Sequence, residues 1–122
     1  MEFRLKDARP IWQQLADQMA ESIVTGGFSP GERFPSVRDL ALQAGVNPNT
    51  MQRALARLEE AGLLITERTA GRSVTDKEEV LTSMRKQLAE KRVAEYLEDM
   101  EKLGFDREAA AEYAAASGKE KI

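Results

Sequence analysis

Trp12, Leu15, Met19 and Ile23 recur at intervals of three and four residues, the spacing that lines one face of an α-helix. With Pro10 suited to a first helical turn, the pattern predicts a helix over residues 10–25, stopped by Gly26-Gly27. Pro30-Gly31 then predicts a type II turn. A shorter amphipathic run follows, with Val37, Leu40, Ala41 and Ala44 on its buried side. Ser36 is placed to cap it, Asp39 takes the capping-box position and Gly45 ends it. Asn47 and Pro48 open a third helix, in which Met51, Ala54, Leu55 and Leu58 face inward until Gly62 closes it. Two helices joined across Ala44-Gly45-Val46 make a helix-turn-helix pattern.

Beyond Gly62 the period becomes strand-like. Residues 63–68 and 72–75 flank Thr69-Ala70-Gly71, which predicts a short β-hairpin, or wing. From Asp76 to Leu103 the chain reads as a charged helix carrying Leu81, Met84, Leu88, Val93, Leu97 and Met100. Gly104 breaks it, and Asp106 caps a last, alanine-rich helix around Ala109 to Ala116. The apolar register shifts between Leu88 and Val93, which argues against a long two-stranded coiled coil. It favours a short bundle whose wide apolar face is covered by a second subunit. The expected fold is mainly α with a small β-hairpin: a winged helix-turn-helix domain over residues 1–75 and a two-helix dimerisation segment over residues 76–122.

A chain of 122 residues fits one small domain with an appendage. Hydrophobic content of 42% with 32% charged residues describes a soluble globular protein, and no apolar run approaches the roughly 20 residues of a membrane span. Met1-Glu2-Phe3-Arg4 does not open a signal peptide, so the expected location is the cytoplasm. Cysteine and histidine are absent, which removes thiolate nucleophiles, imidazole bases and the usual zinc and haem ligands. With no nucleophile elbow, P-loop or dinucleotide fingerprint either, the chain reads as a non-enzyme without cofactor or metal. The net charge of -3 runs against a nucleic-acid partner. Yet up to Thr75 there are nine Lys/Arg against nine Asp/Glu, and after it nine against twelve, so the acidic surplus lies behind the helix-turn-helix. Attraction to DNA then rests on where individual arginines sit.

With Met51 taken as the inward direction, Asn49, Gln52, Arg53, Ala56, Arg57 and Glu60 point outward from the third helix. Base edges are reached from the N-terminal part of a recognition helix, which selects Asn49, Gln52 and Arg53 as readers. Asn and Gln pair with adenine through two hydrogen bonds, and Arg does the same with guanine. Asn47 is explained by capping; Thr50 can also reach a phosphate, beside the free amides of the helix start. Arg68 and Arg72 bracket the wing turn, and Gly71 lets the backbone approach the minor groove. The competing reading is a winged helix used as a protein-interaction module. The polar outward face of the third helix favours double-stranded DNA.

Three blocks carry a family resemblance: residues 31–41 (GERFPSVRDLA), 45–55 (GVNPNTMQRAL) and 58–63 (LEEAGL). In this order and spacing they resemble the DNA-binding domain of the GntR family of bacterial regulators, over roughly residues 10–75. The two-helix tail resembles that of the YtrA subfamily. The resemblance implies a homodimer on an inverted-repeat operator, often control of a transporter operon, and no catalysis; it also places Arg38 on the DNA backbone. The expected function is sequence-specific regulation of transcription, read as repression, with Leu81, Met84, Leu88, Val93, Leu97 and Met100 as interface candidates. If Arg38, Arg53, Arg68 and Arg72 each neutralise a phosphate, a dimer neutralises about eight, and log K falls with log salt at a slope near -7. The tail has few residues with which to enclose a pocket, so a small-molecule effector is left open and unidentified.

Overall fold

The computed structural model describes residues 1–6 and 9–120 and divides into two compact units, Met1–Lys86 and Gln87–Ile122. In chain order the elements are α1 (Ile11–Val24), α2 (Val37–Ala44), α3 (Pro48–Glu60), β1 (Leu64–Glu67), β2 (Gly71–Val74), α4 (Glu78–Lys102) and α5 (Arg107–Glu120). The order and type of the elements are those the hydrophobic periods predict. The first turns of α4 belong to the first unit and the rest of it to the second.

Local chemistry sets the boundaries of the helix-turn-helix. The Ser36 hydroxyl accepts from the Asp39 N–H at 3.1 Å, and the Asn47 carboxamide accepts from the Asn49 N–H at 2.7 Å, so each helix start has an amide satisfied by its cap. Gly45 ends α2 at φ 67°, a left-handed conformation that costs a residue with a Cβ more than it costs glycine. The Val46 N–H then reaches back to the Ala41 carbonyl at 3.1 Å and turns the chain into α3. The Pro30-Gly31 turn is closed by the Glu32 N–H on the Ser29 carbonyl at 3.0 Å.

One hydrophobic core serves the whole first unit. Leu15, Met19 and Ile23 of α1, Leu40 of α2, and Met51, Ala54, Leu55 and Leu58 of α3 are all buried. Phe34, Leu63, Leu64 and Val74 extend this core beneath the hairpin. α3 packs against α1, α2 and β1, so its inward face is enclosed on several sides. Each large apolar side chain removed from water in this way contributes on the order of 1.5–3 kcal/mol.

β1 and β2 pair antiparallel, with Leu64 opposite Val74 and Glu67 opposite Gly71. The segment at Arg33 lies along the other edge of β2. The Phe34 N–H donates to the Arg72 carbonyl and the Val74 N–H to the Glu32 carbonyl, each at 2.8 Å. The wing is therefore backed by a third extended segment that no alternation in the sequence announces.

α4 begins where the buried Thr75 accepts from the Lys77 N–H at 3.2 Å. Leu81 is buried, and an Arg85 Nη donates to the Val24 carbonyl at 3.0 Å, placing a cation at the C-terminal end of α1, where the helix dipole favours it. In the second unit, Gly104 ends α4 and the Asp106 carboxylate caps α5 by accepting from the Ala109 N–H at 2.9 Å. The Tyr96 hydroxyl donates to the Ala110 carbonyl at 2.7 Å, and Phe105 meets Tyr113 edge-on with centroids 5.1 Å apart. Among the described residues no helix is long and apolar enough to cross a membrane.

Candidate nucleic-acid interface

The outward face of α3 carries the side chains selected as readers. Asn49, Gln52 and Arg53 are exposed, and Thr50 is half-buried at the helix start. Arg38 on α2 is exposed as well. The guanidinium of Arg53 does not project freely: its Cζ lies 4.3 Å from the ring centroid of Trp12, on α1. That contact joins positions far apart in the chain.

The two wing arginines have different surroundings. Arg68 is exposed in the turn between the strands. Arg72 is half-buried, and its Nε donates to a Glu59 carboxylate oxygen at 2.8 Å, while the Thr66 hydroxyl donates to the other oxygen. Strand alternation explains the difference. Arg72 is two residues from the buried Val74 and so shares its inward side, toward α3. In the free chain the Arg72 guanidinium thus ties the wing to the end of α3.

The cation beside Gly71 is instead Arg33, which the sequence reading did not select. A Cβ built on Gly71 would stand 3.8 Å from an Arg33 Nη, an ordinary contact. Glycine is thus favoured at position 71 by its φ of 77° and not by lack of space. Arg33 is exposed and pairs through its backbone with Ser73, on the face of β2 opposite Arg72. A pattern-based signal for it was available only in the β2 alternation, which sends Arg72 inward.

The environment of Glu59 clearly alters its titration. Burial pushes its carboxyl up, but hydrogen bonds from Thr66 and Arg72 and the Arg72 charge outweigh burial, so its pKa lies below the ordinary value of 4.5. A carboxylate whose folded pKa is depressed stabilises the fold above its unfolded pKa, and that contribution disappears as pH falls through the folded value. Glu59→Gln is expected to cost about 1 kcal/mol at pH 7. Urea unfolding from pH 7 down to pH 3 should show the gap closing only below about pH 4.5; a gap independent of pH would remove the ionic clamp.

Among the interface candidates, Leu81 is buried within the first unit and serves that unit's own core. Met84, Leu88, Leu97 and Met100 are half-buried in the single chain, and Val93 is 54% exposed.

The family model for bacterial regulatory proteins of the gntR family matches residues 11–74. The HTH-type transcriptional regulator YhcF of Bacillus subtilis is 32% identical over 108 residues, which span 88% of this chain and 89% of that protein. The HTH-type transcriptional repressor YtrA of the same organism is 37% identical over 71 residues, 58% of this chain and 55% of that one. Among solved structures, a GntR family transcriptional regulator from Listeria monocytogenes matches with a TM-score of 0.78 and 32% identity, covering 96% of this chain and 100% of that one. These relatives are transcriptional regulators, not enzymes. The helix-turn-helix, the wing behind it and the matched residues make this chain a member of the GntR family of DNA-binding transcription regulators.

Proposed function

We propose that the chain represses transcription by binding, as a homodimer, an operator in double-stranded DNA that carries an inverted repeat. Residues 1–75 hold the DNA, residues 76–122 join the subunits, and the protein works in the cytoplasm. The observation that carries this reading is the exposed face of α3, where Asn49, Gln52 and Arg53 stand beside the helix start. Arg38, Arg33 and Arg68 supply exposed cations from α2 and the wing, which compensates for an overall charge of -3. Repression draws support from the YtrA relative, described as a repressor. Dimerisation draws support from the apolar positions of α4 left partly or wholly exposed in one chain: Met84, Leu88, Val93, Leu97 and Met100.

Two recognition helices related by a two-fold axis read half-sites about one helical turn apart, or a multiple of that. Selection of bound sequences from random double-stranded DNA should therefore return an inverted repeat, and sedimentation at micromolar concentration should return a dimer. Recovery of unrelated sequences, or a monomer with full affinity, would refute the proposal. The roles within the interface separate by substitution. Arg38→Ala is expected to weaken specific and random DNA alike by about tenfold. Gln52→Ala should cost about 1–3 kcal/mol at one base pair and relax preference there. Competition binding with single-base operator variants distinguishes the two patterns.

A further inference from the structure

Trp12 and Arg53 are on different helices, 41 positions apart, yet the guanidinium sits over the indole ring at 4.3 Å from its centroid. This is well inside the roughly 6 Å within which a cation is attracted to an aromatic face. The ring is half-buried on α1, while Arg53 itself is exposed. A guanidinium held over a ring by its face leaves its in-plane N–H groups free at the edge. That edge is what pairs with the O6 and N7 atoms of guanine. A free arginine would have to give up many rotamers to present the edge in this way, whereas a stacked one has given up most of them before DNA arrives.

We propose that Trp12 is a positioning residue for DNA recognition: it holds Arg53 in the pose that reads guanine and itself touches no base. The inference rests on Arg53 reading DNA, and the two ideas fail in different ways. A stacked cation at a partly exposed site is worth about two- to fivefold in affinity, so a dimer with two such pairs gains about five- to thirtyfold.

The test is a double-mutant cycle on the full chain, with Trp12→Leu, Arg53→Ala and the combined variant titrated against the selected operator. Trp12→Leu is expected to weaken binding about five- to thirtyfold and to relax preference at the base pair that Arg53→Ala relaxes. It should have little further effect in the Arg53→Ala background, and Trp12→Phe, which keeps an aromatic face, should recover most of the loss. Losses that simply multiply in the combined variant would overturn the positioning role. An Arg53→Ala variant with full operator affinity would instead overturn the assignment of Arg53.

Trp12 is the one tryptophan in the chain, so its emission gives a second readout that requires no substitution at position 12. Arg53→Ala should shift that emission in the free protein. Operator binding to the unmodified chain should not convert its spectrum to the Arg53→Ala form. If it does, Arg53 leaves the ring to bind DNA and the inference falls, whether or not Trp12→Leu folds.

Discussion

Raising the salt from 50 to 200 mM is expected to weaken operator binding by about 10⁴-fold, with log K falling against log salt at a slope near -7. In the proposed dimer Arg33, Arg38, Arg53 and Arg68 would bring about eight charges to the duplex, and each released counterion contributes about 0.9 to the slope. The total equals the sequence-based value, but its membership differs. Arg72 is tied to Glu59 at 2.8 Å, and the exposed cation next to Gly71 is Arg33. Arg33→Ala should therefore reduce the slope by about 2, one unit for each subunit. Arg72→Ala should leave the slope unchanged and instead lower thermal stability by releasing Glu59. Anisotropy titrations at four or five salt concentrations measure both quantities. If Arg72→Ala flattens the slope and Arg33→Ala does not, the wing meets DNA through its other face.

The contrast between Arg33 and Arg72 shows which information was local. Ser36, Gly45 and Asn47 act within five residues of themselves, so their capping and turning roles could be read directly and are seen in the hydrogen bonds. The inward stripe of α3 was equally legible, because Met51, Ala54, Leu55 and Leu58 follow the helical period in a segment that is packed on several sides. The wing was harder. Its four-residue strands are short, and the residue that reveals the inward side of β2 is Val74 at the far end. Nearness to the turn suggested an outward Arg72, whereas its parity with Val74 turns it toward Glu59.

Contacts between distant segments had no sequence signature at all. The pairing of Arg33 with Ser73 and the stacking of Arg53 on Trp12 arise only once α1, α3 and the hairpin share one core. Leu81 shows the related ambiguity of an apolar stripe. A helix that packs first on its own subunit and a helix that packs on a partner present the same spacing, and burial within the chain separates them. The first turns of α4 close the winged-helix core. The apolar positions further along remain for the proposed partner subunit.

Leu55→Ala is expected to have the largest effect on stability, about 2–5 kcal/mol. Leu55 is 0% exposed, and its neighbours along the stripe, Met51 and Leu58, are 0% and 2% exposed. Because α3 is packed against α1, α2 and β1, the cavity left by the missing methyl groups cannot be filled by a single side chain moving in. For a unit of this size each kcal/mol lowers Tm by about 4–8 °C, so a fall of roughly 10–40 °C is expected. The proposed dimerisation would make Tm depend on concentration, so the comparison belongs at equal protein concentration. The charges at the interface are untouched, so at a temperature where the variant is folded, the salt slope should stay near -7. Nearer its Tm, apparent affinity should fall in step with the folded fraction. Arg57→Ala, at an exposed position of the same helix, should change stability by less than about 0.5 kcal/mol. If Leu55→Ala cost less than about 1 kcal/mol, the core around α3 would have to be loose enough to collapse into the space, and the fixed placement of Asn49, Gln52 and Arg53 would lose its support.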